Sequence, residues 1–250
     1  MRTGLLLAAA GLLAANLAAQ GRVQRPMTFE DFAAVRNVGD PQVSPDGRLV
    51  LYSLRTTDVG ANKRTTVTVL APIAGVSIGS AGRKLGLIGK FPNATVQASE
   101  ARWSPDGKRV TYIAGGQLWI AGANGANARQ ISNVSGGAGG PVWSPTGDRI
   151  AFVTGVYPDC ESDACDMARI KAADTGKVKA HIADNLLYRH WTEWTPATRS
   201  HLFVVSPEGS GLRDVTAGVK YDVPPGPFGG SEGYSFSPDG KELAYTAKDQ

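Results

Sequence analysis

PQVSPDGRLVLYSL (residues 41–54), ARWSPDGKRVTYIA (101–114), PVWSPTGDRIAFVT (141–154) and YSFSPDGKELAYTA (234–247) are four copies of one pattern. Each copy has the same local logic. An apolar or aromatic residue ends one strand and a Ser-Pro-Asp-Gly turn reverses the chain. Proline presets φ at the first corner, aspartate bonds back to the backbone, and glycine accepts positive φ. The turn residues are Pro45, Asp46 and Gly47, then Pro105, Asp106 and Gly107, then Pro145 and Gly147, then Pro238, Asp239 and Gly240. After the turn, alternating residues such as Val110, Tyr112 and Ala114, or Ile150, Phe152 and Thr154, predict a half-buried strand with one face toward a neighbour. A degenerate fifth copy, EWTPATRSHLFVV, aligns Trp194, Thr195 and Pro196 with Trp143, Ser144 and Pro145 but lacks the turn glycine. Five repeats at spacings of roughly forty to sixty residues suit four-stranded blades. The fold class this predicts is all-β: a β-propeller over residues 41–250, about five blades and incomplete, led by a short helix.

Outer strands follow the repeats. GQLWIAGANGANARQIS from Gly116 reads as strand, Asn-Gly turn and strand, and HLFVVSPEGSGLRDVT from His201 repeats that layout. The turn reading also decides against paired acids or calcium ligands. It accounts for Asp46, Asp106 and Asp239 together, and the third copy has Thr146 in their place.

Composition agrees with an all-β chain large enough for a substantial core. Of 250 residues, 42% are hydrophobic, and the 31 glycines and 15 prolines fall between short apolar runs. Charged residues are 19% of the chain, the net charge is +4, and the basic residues are scattered, which argues against a nucleic-acid partner.

At the N-terminus, Arg2, the apolar run Leu5 to Leu17 and the small residues Ala18 and Ala19 read as a secretory signal peptide over residues 1–19. No cysteine directly follows the run, which argues against a lipoprotein anchor, and no later run is long enough to span a membrane. The expected location is periplasmic or extracellular. Residues 20–40 form a lead-in segment in which Thr28 and Asp31, at capping-box spacing ahead of Phe32 and Val35, predict a short helix. Cys160 and Cys165, close together in YPDCESDACDMAR, are expected to form a local disulfide in an oxidising compartment. His181 has no companion ligands that would make them a metal site, and no cofactor is expected.

Three segments carry a resemblance. The run from Thr28 to Gly47, YRHWTEW from Tyr188, and YDVPPGPFGGSEGYSFSPDG from Tyr221 are similar to propeller segments of the prolyl oligopeptidase family of serine peptidases, in its dipeptidyl-peptidase and acylaminoacyl-peptidase branch. TolB-like propellers share the Ser-Pro-Asp-Gly repeats. The resemblance implies a seven- or eight-bladed propeller followed by an α/β-hydrolase domain with a Ser, Asp and His triad. The sequence stops at TAKDQ without such a domain, so the expectation is a truncated, non-catalytic propeller portion whose substrate would be a peptide. The competing expectation is a stand-alone TolB-like module with a protein partner.

Gly-x-Ser-x-Gly occurs at Gly75–Gly79 and at Gly229–Gly233, but neither Ser77 nor Ser231 is followed by the helix that a nucleophile elbow needs. The only histidines are His181, His190 and His201, so none follows Ser231. No catalytic residue is assigned. The cluster Tyr188, Arg189, His190, Trp191, Glu193 and Trp194 is dense for a chain with 8% aromatics. It reads either as packing between blades or, with Glu232, as a lining of the face that meets the hydrolase domain in the family. A carboxylate there could pair with a peptide amino terminus. The candidate substrate-binding set is Tyr188, His190, Trp191, Glu193, Trp194 and Glu232.

Overall fold

The computed structural model describes residues 25–73, 89–91, 97–178, 180, 183, 186, 188–226 and 229–248. The expected signal peptide at 1–19, Ser77 and its flanking glycines, and His181 lie outside them.

The chain divides into two compact units, one comprising residues up to Val35 with Thr57–Lys63 and the other the remainder. In the first unit, α1 (Phe29–Ala33) forms where the capping box predicts it: Thr28 Oγ1 accepts from Asp31 N, and the Asp31 carboxylate accepts from Thr28 N. Arg25 grips the same carboxylate with two nitrogens, at 2.5 and 2.7 Å. That guanidinium, followed by the Thr28 N–H, holds Asp31 at a pKa of about 2.

The second unit contains three four-stranded antiparallel sheets and a two-stranded one that correspond to successive repeats. Blade 1 has strands β1 (Asn37–Val43), β2 (Leu49–Asp58), β3 (Lys63–Pro72) and β4 (Gly89–Phe91), its hairpin tip belonging to the first unit. Blade 2 has β5 (Ser99–Trp103), β6 (Arg109–Ala114), β7 (Gln117–Gly122) and β8 (Arg129–Gln130). Blade 3 starts with β9 (Ala138–Trp143) and β10 (Ile150–Val156). An excursion follows, with helix α2 (Asp163–Thr175) and a hairpin of β11 (Arg189–His190) and β12 (Glu193–Trp194). The blade then resumes with β13 (Arg199–Val205) and β14 (Arg213–Asp214). The first hairpin of blade 4 is β15 (Tyr234–Phe236) with β16 (Leu243–Tyr245).

Among the described residues the repeats correspond to four sheets, against the expected number of about five blades. The degenerate copy EWTPATRSHLFVV opens no blade. Trp194 ends the small hairpin, and RSHLFVV is the third strand of blade 3, pairing with β10 from Ile150↔Val205 to Val156↔Arg199. Without the turn glycine the segment has no tight reversal, and its apolar run pairs with the strand already laid down. Blade 1 also begins ahead of Pro41, at Asn37.

Each Ser-Pro-Asp-Gly turn closes in the same way. Ser104 Oγ donates to Asp106 Oδ1 at 2.5 Å and accepts from Arg109 N, while Asp106 Oδ1 accepts from Lys108 N. Ser44 with Asp46 and Ser237 with Asp239 repeat these bonds. In the third copy the carboxylate moves two residues along the chain. Asp148 accepts from both Ser144 Oγ and Thr146 Oγ1, so threonine at the aspartate position leaves the turn intact.

Strands β6 and β10 are buried on both faces rather than half-buried, because blades pack against each side of them. Val110, Tyr112 and Ala114 of β6 join Leu51, Leu70 and Phe91 of blade 1, while Ile113 of the same strand joins Leu118, Ile150 and Phe152 toward blade 3. Ala151, Leu202, Val204, Val223 and Tyr234 form the next core layer. Two tryptophans of the repeat also lock blade to blade. Trp103 Nε1 donates to Gln42 O at 3.0 Å, and Trp143 Nε1 donates to Arg102 O at 3.2 Å and to Thr111 Oγ1 at 3.0 Å. Arg109 lies over the Trp143 ring, 5.2 Å from its centroid.

Candidate functional site

The first strand of each complete blade carries a register irregularity just before the repeat, at Gly39–Gln42, Ser99–Arg102 and Gly139–Val142. Within each lies a residue with positive φ: Asp40 (48°), Glu100 (52°) and Gly140 (62°). These occupy one column of the repeat, four residues before the turn serine. A bulge re-aims side chains where strands would otherwise pair evenly. Here it turns two carboxylates toward the next blade. Asp40 Oδ2 accepts from Arg102 at 2.7 Å, and Glu100 Oε2 accepts from Gly140 N at 2.6 Å. The Gly140 carbonyl accepts from the Tyr234 hydroxyl of blade 4. Both polar atoms of Gly140 are thus held by neighbouring blades. A Cβ at that position would meet the Tyr234 hydroxyl and lie 3.5 Å from Ser231 Cβ, so glycine is required.

Ser231–Gly233 is one turn of 3₁₀ helix against this rim, and it carries Glu232. Burial pushes the Tyr234 hydroxyl pKa upward. Glu100 and Glu232 add to the shift and Arg102 opposes it, which brings the two carboxylates and the guanidinium into one electrostatic neighbourhood. Ser231 is followed by β15 rather than by a helix, so it is not a nucleophile elbow.

The other candidate residues sit on the excursion from blade 3. β10 leaves the blade at Val156 and β13 returns at Arg199, with Thr154 opposite both Ala138 and His201. Residues 157–198 therefore emerge at the end of the blade opposite its Ser-Pro-Thr-Gly turn, the same end as Gly140. In the β11–β12 hairpin, Tyr188 stacks on Trp194 with centroids 6.2 Å apart, Arg189 lies 5.5 Å over the Trp194 ring, and the His190 and Trp191 rings are 4.9 Å apart. Tyr188, Trp191 and Trp194 are 49%, 78% and 44% exposed, so these rings present surface to solvent instead of filling a space between blades. Glu193 pairs in register with His190. The structure groups Tyr188, His190, Trp191, Glu193 and Trp194 on one hairpin and puts Glu232 on a separate element near Gly140 and Tyr234.

Helix α2 is anchored at its N-terminus. Cys160 and Cys165 form the expected disulfide, with Cα atoms 5.5 Å apart. Ser135 donates to Asp163 through its backbone N at 2.7 Å and its hydroxyl at 2.9 Å, and Asp166 accepts from Tyr157 N at 2.7 Å. The sequence reading missed this helix, although DACDMARIKAADT is rich in helix formers. It also missed Asp40, Glu100 and Arg102. Extending the alignment of the repeats toward their N-terminal side exposes Asp40 and Glu100.

Among the described residues no helix is long and apolar enough to cross a membrane, and no group of three His, Cys, Asp or Glu side chains is placed to hold a metal ion.

Antiparallel four-stranded blades, each opened by the same turn and packed face to face, define the chain as an incomplete β-propeller. Its sequence is 27% identical over 248 residues to dipeptidyl-peptidase 5 of Porphyromonas endodontalis, covering 96% of this chain and 33% of that protein. It is 29% identical to dipeptidyl-peptidase 5 of Porphyromonas gingivalis, covering 89% and 31%. Among solved structures, it matches acylaminoacyl peptidase of Pyrococcus horikoshii with a TM-score of 0.49 and 19% identity, over 72% of this chain and 25% of that one. No family model matches the chain. The chain spans about a third of the length of the curated relatives it matches. Its resemblance to the propeller region of a prolyl oligopeptidase-family peptidase extends over nearly the whole sequence.

Proposed function

We propose that this chain is the non-catalytic propeller portion of an exported serine exopeptidase, where it admits short peptides and positions them for an α/β-hydrolase domain. One observation carries the reading. The exposed rings of Tyr188, Trp191 and Trp194 belong to the excursion that leaves blade 3 at its Gly140 end, where Glu100 accepts from the Gly140 N–H and the Ser231–Gly233 turn abuts Gly140. Aromatic faces bind extended peptide side chains, and solvent-exposed carboxylates such as Glu100 and Glu232 pair with an ammonium group. Together they suit an oligopeptide with a free amino terminus. Export rests on the signal-peptide composition of residues 1–19, and fractionation with N-terminal mass analysis of the mature protein tests it.

The binding test uses the tryptophan fluorescence of the chain. Titration with an unblocked tetrapeptide is expected to shift the emission, with N-acetylation or Glu232→Gln weakening binding by roughly tenfold, the loss of one charged hydrogen bond. Equal affinity for the blocked and unblocked peptides would overturn the role of Glu232. Incubation with dipeptidyl and acylaminoacyl chromogenic substrates is expected to give no turnover by the chain alone. A rate abolished by Ser77→Ala would overturn the non-catalytic reading. The reading frame 3′ of the Gln250 codon supplies an independent check, since a continuing frame with a nucleophile elbow is expected.

A further inference from the structure

Two blades carry a polar hub at the start of the third strand, and the two hubs differ in charge. Gln117 of β7 pairs with Ala114 and His201 of β13 pairs with Thr154, the last residues of their respective repeats, so the positions are equivalent. In blade 2 the hub is a neutral amide: Gln117 Nε2 donates to Val134 O at 2.8 Å, and its Oε1 accepts from Ser132 Oγ and Val134 N. In blade 3 it is the buried His201. Its Nδ1 lies 2.7 Å from Asp214 Oδ2 and its Nε2 lies 3.0 Å from Val219 O.

A carbonyl can only accept, so Nε2 carries a proton. An unprotonated Nδ1 would then point its lone pair at a carboxylate oxygen. Both contacts are satisfied together only when a proton also lies between Nδ1 and Oδ2. The other Asp214 oxygen accepts from Thr216 N and Thr216 Oγ1, which holds the carboxylate in place. Asp166 of α2 is the other charged group acting on the ring, and the Thr154 hydroxyl, opposite His201 in register, is buried without a hydrogen-bond partner. Burial pushes the imidazole pKa down, but Asp214, the Val219 carbonyl and Asp166 outweigh it, and the net shift is upward.

The hub is also joined to the candidate site. Residues 214–223 are sutured to β13 by His201, by Asp222 accepting from Ser200 N at 2.8 Å, and by Val223 N donating to Ser200 O at 2.8 Å. Val223 is fully buried, and the next residue, Pro224, abuts the Glu232 turn, with its Cβ 2.7 Å from where a Cβ on Gly233 would stand.

We propose that the protonated His201–Asp214 pair is a pH-sensitive latch that positions the turn bearing Glu232 by holding residues 214–224 against β13. Its consequence for peptide binding rests on the function proposed above. The latch itself does not. The folded-state pKa is raised, so the latch contributes in full below about pH 6.5 and is lost as pH rises through the folded value.

The test is NMR of the whole chain labelled with ¹⁵N. At pH 6.5 both ring nitrogens of His201 are expected to be protonated, with deprotonation at higher pH. Amide protection of residues 214–223, corrected for intrinsic base catalysis, should fall about tenfold per pH unit between about 6.5 and the folded value, then level off. The Ser231 and Glu232 amide shifts should move with the same midpoint. Replacing His201→Gln together with Asp214→Gln copies Gln117 and Gln130 of blade 2. This variant should keep the protection and lose its pH slope. A neutral His201 ring at pH 6.5, a flat protection profile, or Glu232 shifts that ignore the titration would each overturn the proposal. Failure of an unblocked tetrapeptide to bind at any pH would instead sink the ammonium-binding reading and leave the NMR result to judge the latch.

Discussion

At the residue scale, one aspartate does the same work in turn after turn. The serine hydroxyl first, and backbone N–H groups with it, hold Asp46, Asp106 and Asp239 below the ordinary carboxylate range. Thr146, with Ser144, does the same for Asp148. Depressed folded-state pKa values mean that these groups contribute stability above about pH 3.9 and lose it as pH falls through the folded values. The thermal midpoint is therefore expected to drop between pH 4 and pH 2.5, with a shallower drop in Asp106→Asn, as calorimetry at intervals of half a pH unit would show. These aspartates were legible as structural because a turn needs one acceptor at that place. Asp40 and Glu100 were not legible as linkers. Their partners, Arg102 and Gly140, are 62 and 40 residues away, and nothing in the local sequence names them.

At the element scale, the strands following each turn could be read from period-two alternation and the turns between them from glycine and asparagine. The excursion in blade 3 could not. A β10–β13 pair separated by more than forty residues breaks the rule that consecutive strands are joined by short loops, so the sequence supports two readings of RSHLFVV, the tail of a fifth repeat and an outer strand, and the structure upholds the outer strand. Within the excursion, the Cys160–Cys165 bridge closes a small loop at the start of α2. Replacing both cysteines by serine is expected to cost the helix about 2 kcal/mol by loop-closure entropy. Hydrogen exchange over residues 166–172 would report this as faster exchange in α2, with the blade 2 amides unchanged.

At the scale of the whole molecule, stability lies in the layers between blades and candidate function lies on the surface at one end. Phe152→Ala removes a fully buried ring between blades 2 and 3 and is expected to cost about 3–5 kcal/mol. Trp191→Ala removes a ring that is 78% exposed and is expected to change stability by less than about 0.5 kcal/mol while weakening peptide binding. Urea denaturation of the two variants, alongside the fluorescence titration, separates the roles. The sequence by itself determined the repeat, its turns, the capped N-terminal helix and the disulfide. Each depends on neighbours within about a dozen residues, where backbone preferences and short loops leave few alternatives. Only the tertiary structure decided how many blades the repeats make, which residues meet across them, and that His201, Gly140 and Glu232 belong to one connected region. Those outcomes depend on pairing strands and blades far apart in the chain, and pairing energies of that kind are set by the packed whole rather than by any one segment.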